Sequence, residues 1–142
     1  MKKLICFILA LAVAASAATV TGCGNSIRGT GEEAIANYLE YIRTGDYASA
    51  WDLLTVGTRN ETQETKSGRI TQQEFIDKYT SIFSALRITS VEYSDIACSG
   101  GDILCSGTYR ATYRSDYTGD LENSFKIVAR REGGDWRVEW SP

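Results

Sequence analysis

The sequence predicts an α+β domain: three N-terminal helices packed on a four-stranded antiparallel sheet. Two observations carry this. Apolar residues recur at helical spacing as far as Leu86, and at every second position after Ile88. The alternating half is divided by Thr118-Gly119-Asp120 and Gly133-Gly134, turns short enough for a meander. Helices segregated in the chain from an antiparallel sheet cover one of its faces.

In chain order, Lys2 and Lys3 precede an apolar run from Leu4 to Ala14, and small residues follow to Thr19. Charged start, apolar middle and small-residue end are the parts of a secretory signal. The segment closes on Val20-Thr21-Gly22-Cys23, which resembles the lipobox of bacterial lipoproteins. That resemblance implies a diacylglyceryl group on the Cys23 thiol and cleavage just before it. Residues 1–22 are then a signal peptide, and the protein sits extracytoplasmically, lipid-anchored to the outer face of the cytoplasmic membrane. An uncleaved membrane anchor and an ordinary signal cut near Ala17 are the competing readings. Ser16, Thr19 and Thr21 interrupt the roughly 20-residue apolar stretch that a spanning helix needs.

Residues 23–30 are small and polar and read as a tether, leaving 31–142 as one domain. Thr30 and Glu33 have capping-box spacing, and Ile35, Tyr38, Leu39 and Ile42 share the following helical face. Gly45 supplies a left-handed stop, and Asp46 caps a second helix that buries Tyr47, Ala50, Trp51 and Leu54. The predicted helical hairpin covers 31–55, and a polar, turn-rich stretch covers 56–69. Thr71 and Glu74 form a second capping box, with Ile70 and Phe75 as its hydrophobic staple. Phe75, Tyr79, Ile82, Phe83 and Leu86 continue as one stripe. Four strands then follow, marked by Val91-Tyr93-Asp95, Tyr109-Ala111-Tyr113, Phe125-Ile127-Ala129 and Trp136-Val138-Trp140.

Composition narrows the function. Loss of residues 1–22 removes two lysines and no acid, so the net charge of −3 becomes −5. A nucleic-acid binder would be basic, so none is expected as a partner. No His occurs and only four Cys, so no metal site or cofactor is expected. Cys6 lies in the apolar run. Cys98 and Cys105 flank a turn-rich stretch in an exported domain, where a disulfide would staple the hairpin tip; two free thiols are the alternative.

Gly45-Asp46-Tyr47 with Ala50, Trp51 and Leu54, then Phe75, Tyr79, Ile82 and Leu86-Arg87-Ile88, then Trp136-Arg137-Val138-Glu139-Trp140-Ser141-Pro142, resemble the N-terminal domain of MecA-type penicillin-binding proteins. The resemblance implies the nuclear-transport-factor-2-like fold, a cone of helices cradled by a curved sheet, and a link to cell-wall synthesis and β-lactam resistance. It does not bring the transpeptidase with it. A penicillin-binding serine needs a Lys three residues on, and Ser67, Ser81 and Ser124 are followed at that spacing by Ile70, Ser84 and Ile127. The expectation is therefore a non-catalytic scaffold or interaction module at the membrane, with no catalytic residues. Its partners would be a wall-synthesis protein, wall polymer or a second copy of the chain.

Two residue sets qualify this. Tyr93, Asp95, Tyr109, Tyr113, Trp136 and Trp140 share the predicted inner face. They read first as core, second as the lining of a pocket for a small ligand or glycan. Asp95 is the acid on that parity, so an isomerase-like enzyme using it as a base is a further alternative; solvation at the strand end is its plain reading. Arg110, Arg114, Lys126, Arg130 and Arg137 share the outer parity with Glu92, Glu122 and Glu139. They read as a solvated face or as a docking face for an anionic polymer, lipid headgroups or an acidic partner.

Overall fold

The computed structural model describes residues 29–59 and 70–140. The segment expected to be a signal peptide, Cys23 and most of the expected tether lie outside the described residues. Helices α1 (Gly31–Thr44), α2 (Tyr47–Asp52) and α3 (Gln72–Ala85) precede strands β1 (Ile88–Gly100), β2 (Leu104–Ser115), β3 (Leu121–Glu132) and β4 (Asp135–Glu139). The strands form one antiparallel sheet in the order β1-β2-β3-β4.

Local chemistry sets the helix ends. Thr30 and Thr71 each accept from the backbone N–H three residues on, while Glu33 and Glu74 reach back to the cap N–H. Both capping boxes therefore satisfy two otherwise unpaired amides. Gly45 ends α1 at φ 78°, a conformation glycine adopts without a Cβ clash. Gly133 and Gly134 both have positive φ, as a two-residue hairpin turn that matches strand twist requires.

Helix α1 is the central element. It buries Ala34, Ile35, Tyr38, Leu39 and Ile42 against α2 and the concave face of the sheet. Ala129, Trp136 and Val138 answer from β3 and β4, and Phe75 from α3. Helix α2 is shorter than expected. It stops at Asp52 because Leu53–Thr55 hydrogen-bond alongside β4: Val138 N–H donates to Leu53 O, and Thr55 N–H donates to Val138 O. Leu54 is fully buried, but from this extended segment and not from a helix face.

The β1–β2 register shifts at two points, between Ile88 and Ser90 at the start of β1 and between Ser94 and Ala97 in its middle. Between Ser94 and Ala97, β1 uses three steps where β2 uses two, from Arg110 to Thr108. The additional residue is a β-bulge, and Asp95 sits in it at φ 52°. Val91 and Tyr93 face inward before the bulge, and Ile96 and Cys98 face inward after it. Beyond the bulge Cys98 bonds to Cys105 with the Cα atoms 5.6 Å apart. The bridge runs diagonally, because Cys98 pairs with Gly107 and Cys105 with Gly100. A Cβ on Gly107 would fall 1.9 Å from the Ala97 carbonyl oxygen and 2.6 Å from the Cys98 Cα and Cβ, so the small residue lets the β1 backbone approach closely at the cystine. Cys105 joins the core beside Gly31 and Trp136.

Candidate ligand-binding cleft

Helix α3 packs on α2 and touches the sheet along β1. Its predicted apolar stripe is real, but only Phe75 is fully covered. Ile82 and Leu86 remain 42% and 37% exposed. The helix thus stands off from the middle of the sheet, and a cleft of about 440 Å³ opens beside it. Tyr109, Ile127 and Val138 belong to its strand side, Tyr38 and Tyr79 to its helical side, and Trp140 to its end. The aromatic side chains of this face line a space and do not fill it.

Tyr79 is the hub. Its ring stacks on Tyr47 at 5.4 Å, tilts against Phe75 at 4.9 Å and meets Phe83 edge-on at 6.2 Å. Its hydroxyl lies 3.0 Å from that of Tyr38. Burial pushes the Tyr38 phenol well above its usual pKa, and sharing its proton with Tyr79 raises it further. Burial raises Tyr79 too, while the Tyr38 and Trp140 side chains act on it in the opposite sense. Across the cleft Tyr109 stacks on Phe125 at 5.4 Å and meets Tyr93 edge-on at 5.6 Å. Burial lifts Tyr93, Tyr109 and Tyr113 as well. At neutral pH these phenols are all uncharged hydrogen-bond donors.

Of the residues singled out in the sequence, Tyr109 and Trp140 line this space, while Tyr93 and Tyr113 are partly buried but are not among its lining. Trp136 does not line it either. It is 5% exposed and packs in the core against Gly31. Asp95 is a correction. The bulge turns it to the convex face, where its carboxylate meets Arg110 Nε at 3.1 Å and the side chain is 66% exposed. It cannot serve as a base inside the cone. Glu139 reaches the rim of the cleft from the outer parity of β4, and its Oε1 accepts from Arg130 Nε at 2.7 Å.

The basic outer face is largely neutralised where it stands. Arg110 bridges Asp95 and Glu122, Arg114 reaches Glu92 at 4.0 Å, and Arg130 pairs with Glu139. Arg137 donates to the backbone carbonyl of Asp52. These pairs face solvent and contribute little to stability, but they cancel the field that an anionic polymer would read. Lys126 differs. β4 pairs with β3 only from Val128 onward, so Lys126 lies past its end, at the rim of the cleft.

Tyr38 and Tyr79 had read only as members of helical stripes. The available signal was a tyrosine where Leu or Phe would serve, since a buried hydroxyl demands a partner. Among the described residues no three Cys, Asp or Glu side chains converge as a metal site would need.

No protein-family model matches the chain, and no curated protein matches it in sequence. Solved structures do resemble it. A candidate polyketide cyclase from Xanthomonas campestris pv. campestris is 12% identical over 78% of this chain and 90% of its own, with a TM-score of 0.54. A candidate scytalone dehydratase from Novosphingobium aromaticivorans is 13% identical over 76% of each chain, at 0.51. A ketosteroid isomerase-like protein from Erwinia carotovora atroseptica is 14% identical over 75% of this chain and 86% of its own, at 0.50. The expectation of a non-catalytic domain is overturned here, because the architecture it was assigned to is shared with proteins described by cyclase, dehydratase and isomerase chemistry. At these identities the likeness is one of fold, and the chain has the nuclear-transport-factor-2-like fold.

Proposed function

We propose that the protein binds a small, largely apolar molecule carrying an oxygen acceptor, in the cleft between α3 and the concave face of the sheet. One observation carries this: the Tyr38–Tyr79 hydroxyl pair stands in the wall of an aromatic cleft that the side chains of the described residues leave open. Apolar walls supply the affinity, and a few placed donors supply the orientation. Titration with 2-naphthol, followed by quenching of tryptophan fluorescence, tests the reading. Saturable quenching is expected, and Tyr79→Phe should weaken it about fivefold, the value of one net hydrogen bond. Unsaturable quenching, or equal affinity in the variant, refutes it.

A catalytic role is the second reading, favoured by the donors themselves. Neutral phenols aimed at a ligand oxygen stabilise negative charge that develops there. The enzymes of this fold support an isomerase- or dehydratase-like step, in which Glu139, at the rim and paired with Arg130, is the acid that would have to swing inward to move a proton. Deuterium uptake next to the carbonyl of 2-tetralone in D2O should then depend on Glu139 and vanish in Glu139→Gln. Uptake no faster than the buffer rate excludes this step.

Location at the outer membrane face through a lipid on Cys23 is part of the proposal and rests on the lipobox. Cys23→Ala should move the protein out of the membrane fraction. Retention there would mean an uncleaved anchor. A tie to wall synthesis rests on the resemblance to penicillin-binding proteins alone.

A further inference from the structure

The space beside α3 continues past Tyr79. A second cavity of about 250 Å³ is lined by Ile82, Phe83, Leu86, Tyr113 and Leu121, and Tyr79 lines both cavities. The strand register puts them in line. Tyr113 pairs with Leu121 at the far end, and Tyr109 with Phe125 and Gly107 with Ile127 at the near end. From Leu121 to Ile127 the groove runs about 20 Å, at roughly 3.4 Å per residue.

Its two ends differ chemically. The far cavity is apolar and accounts for the exposure of Ile82 and Leu86, side chains that a filled cone would cover. The near end carries positive charge. Lys126 lies at the rim, and the Lys78 ammonium sits 4.7 Å from the centre of the Trp140 ring that closes this end. Glu139 adds no free negative charge there, because Arg130 holds it. Two phenol hydroxyls stand between the ends.

We infer that the ligand is an elongated amphiphile, a single acyl chain with a carboxylate head. The chain lies along Ile82, Leu86 and Leu121, passes the Tyr38–Tyr79 pair, and ends at the open edge of β3, where Lys126 reaches the rim from the outer parity and Lys78 covers the Trp140 ring. This rests on the cleft reading above and adds the ligand class to it. A compact aromatic ligand would use the near cavity and leave the far one empty. A chain covers both, and its anionic end meets the cations.

The test compares hexanoate, decanoate and decanol by calorimetric titration, with decanoate kept below its micelle concentration. Decanoate should bind at least about tenfold more tightly than hexanoate, because four further methylenes reach the far cavity. Ile82→Trp, at an exposed helix position, should fill that cavity and remove the decanoate advantage without changing 2-naphthol binding. Leu86→Trp is the second variant, and circular dichroism verifies that each is folded. Lys126→Glu should weaken decanoate several-fold and leave decanol unchanged. Equal affinity for hexanoate and decanoate overturns the inference, as does undiminished decanoate binding in both tryptophan variants. No effect of Lys126→Glu overturns the anionic head. If 2-naphthol binds normally in these experiments, only the amphiphile falls; if it fails as well, the cleft reading falls with it.

Discussion

Removing either hydroxyl of the Tyr38–Tyr79 pair should cost different amounts, and the difference reports which phenol depends on the other. Tyr38 is 4% exposed, and its hydroxyl partner is the Tyr79 hydroxyl at 3.0 Å. Both line the same cleft, but Tyr79 is the more exposed of the two and also lines the second cavity, so water replaces a lost partner more readily there. In Tyr79→Phe the buried Tyr38 hydroxyl is left without a partner, which costs about 1–3 kcal/mol. In Tyr38→Phe the hydroxyl left behind is the wetter one, and the loss is about 0.5–1 kcal/mol. The double variant removes both groups, so it should be more stable than the sum of the single losses predicts, by about 1 kcal/mol or more. Urea unfolding resolves these values: with an m-value of about 1–3 kcal/mol/M, a loss of 2 kcal/mol moves the midpoint by roughly 1 M. If Tyr38→Phe proves the more damaging change, or if the losses simply add, the hydroxyls are not a coupled pair and the cleft loses its principal donor.

Three further outcomes are expected. The cleft tyrosines have pKa values raised above their unfolded value near 10, so the stability they confer is complete below about pH 10 and falls as pH rises through their folded values. Unfolding midpoints across pH 8–12 should be flat and then decline, and phenolate absorbance should lag behind that of the unfolded chain; an early rise in absorbance in the native protein contradicts the burial. Loss of the Cys98–Cys105 bridge in the Cys98→Ser/Cys105→Ser double variant should destabilise the domain by about 2–3 kcal/mol, the chain-entropy value for so short a loop, and an unchanged thermal midpoint would show that the hairpin tip needs no staple. Asp95→Asn keeps a residue that tolerates positive φ and removes only an exposed charge paired with Arg110, so 2-naphthol affinity should stay within about twofold and stability within about 0.5 kcal/mol; a marked loss of binding would restore Asp95 to the site.

Much of the fold was legible because it is written in short-range chemistry. Thr30 with Glu33 and Thr71 with Glu74 announce helix starts within four residues, and both boxes form as their spacing requires. The change of apolar period near Ile88 separates helices from strands, and Gly133-Gly134 can hardly be read other than as a hairpin turn. The candidate site was less legible. Tyr109, Tyr113 and Trp140 have the inward parity that alternation assigns, but parity cannot distinguish a filled face from one that lines a space. That depends on how far α3 stands from β2 and β3. Tyr38 and Tyr79, the two hydroxyls that matter most in the cleft, are 41 residues apart and meet only when α1 and α3 pack on the same sheet.

By itself the sequence determined the order and kind of the elements, the meander, the placement of Cys98 and Cys105 at the hairpin tip and the inner and outer faces of most strand residues, because capping, turn chemistry and periodicity act within a few residues. Only the tertiary structure decided three things. One additional residue in β1 turned Asp95 from the inner face to the outer, since a single step reverses every side chain that follows in a strand. The exit from α2 became extended because β4 offered Leu53–Thr55 a backbone partner. And α3, resting on α2 and β1, left the centre of the sheet uncovered, which turned a row of aromatics that reads as core into the wall of a cleft.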